Sequence, residues 1–218
     1  SAVSGFTVNS VDGIWGYIDG VTTTSNYYPV DGIGYARNGV RAPLRADQGY
    51  RLINTVCAPM QNITPPWPNT DRWTSVGLDW TGFGSHSSSC TGAPGLMFSE
   101  FVYEEASDDG SCGSTSTSDD DCDRLAIEIV NRTGSDVNLA DYDLLMFTGD
   151  RAYNTIALSG TLNNNAVYVI VNYRASGSVT AFKHLTIANN NGYRPIVLVK
   201  NTGTDTEGAR NDRWATGP

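Results

Sequence analysis

From Leu125 to Asn172, short apolar runs alternate with turn residues at a period that suits β-strands, and this confines the chain to an all-β architecture. Leu125, Ile127 and Ile129 fall on one side of a period-two run, while Ala126, Glu128 and Val130 fall on the other. The run from Asn131 to Asp136 then supplies the Asx and glycine conformations of a tight reversal. Ser159-Gly160 and Asn163-Asn164-Asn165 do the same further on. No segment of useful length carries the helical period, and Gly, Asn, Asp and Ser clusters recur roughly every ten residues, the punctuation of a β-sandwich. Ile127, Ile129, Leu144, Leu158, Val169 and Val197 are the expected core.

The 218 residues suffice for one large sandwich or two small ones. The formal charge of −9, with Lys183 and Lys200 the only lysines, leaves no cationic stripe for nucleic acid. No run approaches the roughly 20 apolar residues of a membrane-spanning helix. The chain opens at Ser1 without a methionine or an apolar leader, which points to a processed, secreted protein. Four cysteines then read as two disulfides. Neighbourhood in sequence pairs Cys57 with Cys90, which bracket a Pro/Trp segment, and Cys112 with Cys122, which bracket a Gly/Ser/Thr loop. Each bridge is worth about 2–4 kcal/mol. Zinc is disfavoured because no CxxC spacing is present.

The segment from Leu96 to Asn201 resembles a bacterial-type lamin-tail domain, an immunoglobulin-like β-sandwich. The resemblance rests on Ser99-Glu100 at the end of a first strand, on the run from Ala126 to Asn131, and on Val137-Asn138-Leu139 at a turn leading into a strand. Leu158 to Leu162 and Val197 to Asn201 complete it. Such domains carry no catalytic motif of their own and accompany secreted nucleases, adhesins and surface proteins, so the resemblance implies a fold rather than an activity. Features that close a domain of this family come first here: Thr7 to Gly16, then Trp73 with the Asp79 to His86 run. Residues 1–95 therefore resemble the end of the domain, and residues 96–218 its body. A circular permutant closed within one chain, a remnant of a preceding repeat, and subunits that complete one another all fit this order.

The resulting expectation is a non-enzymatic secreted protein, a self-associating subunit of an extracellular filament or surface layer. Its partners are copies of itself, joined by β-strand complementation through Phe6, Val8 and Val11. The alternatives are a monomeric calcium- or glycan-binding adhesion module and an accessory domain of a secreted nuclease. No cofactor is required; if one is bound, Asp108, Asp109, Asp119, Asp120, Asp121 and Asp123 around the Cys112–Cys122 loop are the carboxylates for calcium. The EF-hand spacing is absent. Glycans would stack on exposed Trp67, Trp73 or the Tyr27-Tyr28 pair. His86 beside Ser87, Ser88 and Ser89 does not make a triad without a positioning acid and an oxyanion hole. The carboxylates at Glu104-Glu105 and Asp119 to Asp121 do not support a glycosidase on spacing alone.

Overall fold

The computed structural model describes residues 27–33, 35–37, 40–42, 48–59, 70–87, 89, 95–104, 124–147, 153–172, 183–187 and 196–201. In chain order its strands are β1 (Tyr27–Ile33), β2 (Tyr35–Arg37), β3 (Val40–Ala42), β4 (Gln48–Leu52), β5 (Trp73–Ser75), β6 (Leu96–Glu104) and β7 (Arg124–Asn131). They continue with β8 (Val137–Asn138), β9 (Tyr142–Phe147), β10 (Tyr153–Ala157), β11 (Thr161–Leu162), β12 (Val167–Asn172), β13 (Lys183–Ile187) and β14 (Ile196–Asn201). Among the described residues a 3₁₀ turn, Leu139–Asp141, is capped by the Asn138 side chain, which accepts from the Ala140 amide. The described part is all-β. No helix among the described residues is long and apolar enough to cross a membrane.

Two sheets hold most of the strands. The first has the order β1-β14-β9-β10 and the second the order β13-β12-β7-β6-β4-β5, with the hairpins β2-β3 and β8-β11 beside them. All pairings are antiparallel except β12 with β13. β1 runs against β14 within the same chain, from Tyr27 opposite Asn201 to Ile33 opposite Ile196. Strands from both sides of residue 95 are thus paired in each sheet, the short segments before it filling positions next to β14 and β6.

Side chains of both sheets enter one apolar cluster. The first sheet contributes Ile33, Leu144, Met146 and Leu198, and the second Phe98, Phe101, Leu125, Ile127, Ile129 and Ile170, all fully or almost fully buried. All six residues expected in the core are buried. Val169 is the exception in placement: it belongs to a second cluster with Phe83, Val102, Ala126 and Val171, against which Trp80 packs. The reason is the period of two, which turns Tyr168 and Ile170 to one face of β12 and Val169 and Val171 to the other. The six-stranded sheet is therefore covered on both faces, and the segment from Asp79 to Ser87 lies over the second.

The Asn131 reversal forms as its composition predicts. The Asn131 Oδ1 accepts from the Thr133 amide and hydroxyl, and its Nδ2 donates to the carbonyls of Ser135 and Leu162, all at 2.8–2.9 Å. Trp73 is a core residue rather than a sugar platform: it is 2 % exposed and meets Phe101 edge-on at 5.7 Å.

Candidate functional site

The notable chemistry of the described residues lies on the second face of the six-stranded sheet, where polar side chains interrupt apolar strands. β6 and β7 shift register between Phe98 and Glu100, so that Ser99 is an inserted residue. A bulge of this kind sends two consecutive side chains to one face. Ser99 and Glu100 consequently both face Glu128, and Glu100 is its direct cross-strand partner. On the other side Glu100 pairs across the strands with Arg51, and Arg51 with Thr74. Thr74, Arg51, Glu100 and Glu128 form one transverse row across β5, β4, β6 and β7.

Two carboxylates opposite one another in a sheet repel, and both are buried, Glu100 to 1 % and Glu128 to 0 % exposure. Each is held by its own partners. Arg51 grips Glu100 with two parallel bonds, Nε to Oε2 at 3.0 Å and Nη2 to Oε1 at 2.8 Å, and reaches Asp79 Oδ2 at 3.1 Å. Ser99 Oγ donates to Glu128 Oε1 at 2.6 Å, and the Gly84 amide donates to Glu128 Oε2 at 2.5 Å. The covering segment is fixed from its outer end as well, since Arg132 Nη2 donates to the His86 carbonyl.

Titration follows from these surroundings. Burial pushes the Glu128 carboxyl up to about 7, against the pull of its bonds from Ser99 and Gly84, and the neighbouring Glu100 adds to the rise. Burial also pushes Glu100 up while Arg51 draws it back. The Glu100 bond is the main reason that the Arg51 guanidinium holds its proton more firmly than usual. Asp79 sits below the ordinary carboxylate range chiefly through the Thr81 hydroxyl and amide. His86 is driven down to about 4 by burial and then by the charges of Arg132 and Arg51.

Two glycines let the segment sit this close. Gly84 has a φ of 93°, which favours glycine where its amide meets Glu128. A Cβ on Gly82 would collide with Arg51 Nη2 and lie 2.6 Å from Glu100 Oε1. Gly82→Ala is accordingly expected to lower stability by about 1–3 kcal/mol in denaturant melts; an unchanged midpoint would mean that the segment does not rest on the ion pair.

A second buried acid shares the structural role. Phe98 lies beyond the last β4–β6 pair, and its amide donates to Asp31 Oδ2 of β1 at 2.8 Å, with Arg72 Nη2 3.5 Å from the other oxygen. Beside the covering segment a cleft of about 420 Å³ is lined by Arg51, Asn54, Thr74, Ser85, His86 and Ser87. No acid orients His86 there, and the cleft carries no nucleophile and base pair among the described residues.

The residues expected to function from sequence fall mostly elsewhere. Asp108, Asp109, Asp119, Asp120, Asp121 and Asp123, as well as Phe6, Val8, Val11, Cys90, Cys112, Cys122 and Trp67, lie outside the described residues. Among the described residues no group of acids, histidines and cysteines could hold a metal ion. Cys57 is disulfide-bonded. The Arg51–Glu100–Glu128 row was missed by sequence reasoning, although a glutamate between Ile127 and Ile129 was its visible signal. No family model matches the chain, and neither a curated protein nor a solved structure does.

Proposed function

We propose that this chain is a non-catalytic, secreted structural module, an immunoglobulin-like β-sandwich of lamin-tail type, that associates with copies of itself by β-strand addition. The observation that carries the non-catalytic reading is the internal use of its buried acids. Glu100 is spent on Arg51 and Glu128 on Ser99 and Gly84, so they brace a covering segment and none is presented to a substrate. A single apolar cluster fed by both sheets supports the sandwich. The Cys57–Cys90 bridge is supported by Ser89, whose amide donates to the Asn54 carbonyl at 3.0 Å and so brings the neighbours of both cysteines together.

β14 has β1 on one side and β9 on the other. Strand addition by Ser1–Val11 is accordingly assigned to another sheet margin, in a neighbouring copy. Contacts of that head-to-tail kind propagate. In negatively stained preparations the full chain is expected to form filaments, and the Ser1–Val11 deletion to give soluble monomers of unchanged melting temperature. Filaments that survive the deletion would overturn the donor assignment. The closure of β1 on β14 within one chain favours a second reading, a monomeric adhesion module. That reading has its own sign, a melting temperature lowered by chelation and insensitive to chelator once Asp120→Asn and Asp121→Asn are introduced.

A further inference from the structure

Asn131-Arg132-Thr133 has the Asn-X-Thr pattern, with no proline in the middle, that accepts an N-linked glycan in exported proteins. Acceptors of this kind ordinarily stand on exposed loops. Asn131 instead closes β7 and is 0 % exposed. Its amide donates to the Ala166 carbonyl at 3.0 Å, and its carbonyl accepts from the Asn165 amide at 2.8 Å, so its main chain is pinned to the turn before β12. The side chain is committed as well. A primary carboxamide has two N–H groups, and both are used here: Nδ2 donates to the Ser135 carbonyl of its own turn and to the Leu162 carbonyl of β11. Oδ1 takes the amide and the hydroxyl of Thr133, the residue that completes the pattern. Nδ2 thus ties the end of β7 to the β8-β11 hairpin.

Glycan transfer acts on that same atom. With a diphosphate-linked oligosaccharide as donor, Asn131 Nδ2 forms a bond to the anomeric carbon and gives up one proton, while the bond from that carbon to the diphosphate oxygen breaks and the diphosphate leaves with the electron pair. One N–H then remains for two carbonyls. The other carbonyl loses its donor and meets a sugar ring, in a place with no solvent to replace the bond. We infer that Asn131 is a glycan acceptor in the unfolded chain alone, and that glycan transfer and closure of this turn exclude one another. A glycan at Asn131 marks a chain that has not closed around it, and a closed chain shields the acceptor. Such transfer meets only an exported chain, so its relevance rests on the secreted role proposed above and not on self-association.

The test sends the full chain, with an added cleavable leader, through the secretory pathway of a glycosylating host cell, so the outcome is independent of where the native host sends the protein. Asn62→Gln in every chain removes the other acceptor pattern, Asn62-Ile63-Thr64. Enzymatic release of glycans in heavy-oxygen water converts each occupied asparagine to a labelled aspartate, which peptide mapping reads. Secreted, protease-resistant chains are expected to carry no label at Asn131. Leu144→Asp, which puts a carboxylate into the shared core, is expected to be retained in the cell and labelled there. Wild-type chains retained with the glycan are expected to return to the secreted fraction when synthesis of the diphosphate donor is blocked. Secreted chains that carry the glycan at Asn131 and melt at the temperature of the bare protein would overturn the exclusion. A Leu144→Asp chain left unlabelled at Asn131 would overturn the acceptor assignment. Neither result bears on filaments, which the Ser1–Val11 deletion tests separately.

Discussion

Arg51→Met is expected to destabilise the protein by about 3–5 kcal/mol, the cost of leaving a buried charge without its partner. Glu100 is 1 % exposed and takes both of its strong bonds from Arg51, so the variant strands it opposite Glu128. The Asp79 arm of the same guanidinium adds little. Both side chains are 35 % exposed at that bond, and exposed pairs contribute about 1 kcal/mol or less. Asp79→Asn should therefore be mild. Replacing the ion pair as a unit, Arg51→Met with Glu100→Leu, should recover most of the loss, because apolar side chains of similar volume often match a buried pair. Equilibrium denaturation of the three variants checks this; a double variant as unstable as Arg51→Met alone would show that the pair contributes through something other than its charges.

Opposed pH dependences at Glu128 and His86 give the second large effect. The Glu128 carboxyl moves from 4.5 to about 7 on folding, so between those values the folded chain keeps a proton that the unfolded chain releases. Its contribution to stability therefore falls as pH rises through that window, by an amount on the order of 3 kcal/mol in full. His86 moves from 6.5 to about 4, so the unfolded chain takes up a proton that the folded chain refuses. That contribution falls as pH drops from 6.5 towards 4. Wild type should accordingly be nearly flat between pH 4.5 and 6.5, where the two oppose. Glu128→Gln keeps an acceptor for the Gly84 amide and should expose a rise in stability with pH. His86→Gln should expose a fall. Urea midpoints across this range, with the same slope in all three proteins, would contradict the assignment.

The strand from Leu125 was legible because alternation reports local geometry, and β7 lies where it places it. Turn chemistry was equally readable at Asn131, since an Asx turn depends on residues two apart. What alternation does not report is the partner. The pairing of β1 with β14 joins residues far apart in sequence, and nothing local in Tyr27–Ile33 names it. The second apolar face of β12 was hidden for a related reason: Val169 reads as core whichever face it occupies, and only the segment carrying Phe83 decides that both are covered.

The polar row shows the same limit at the site. Glu128 stands in an apolar run and Ser99-Glu100 ends another, yet their meeting requires a one-residue bulge that composition does not disclose. Were Ser99 paired in regular register it would stand opposite Glu128, and Glu100 would stand opposite Ile127 on the other face. In sequence, Gly82 and Gly84 are only part of the Asp79 to His86 run. Their roles appear only when the covering segment is seen against Arg51, Glu100 and Glu128. The aspartates around Cys112 and Cys122 and the Ser1–Val11 segment lie outside the described residues, so the roles proposed for them rest on the sequence and on the tests above.

Self-association is the central claim, and light scattering of the full chain over a rising concentration series tests it most directly. The expected result is a mass that grows with concentration without reaching a plateau, and that falls to the monomer when Ser1–Val11 is deleted. A full chain that stays monomeric throughout would contradict the structural reading and leave the adhesion module in its place.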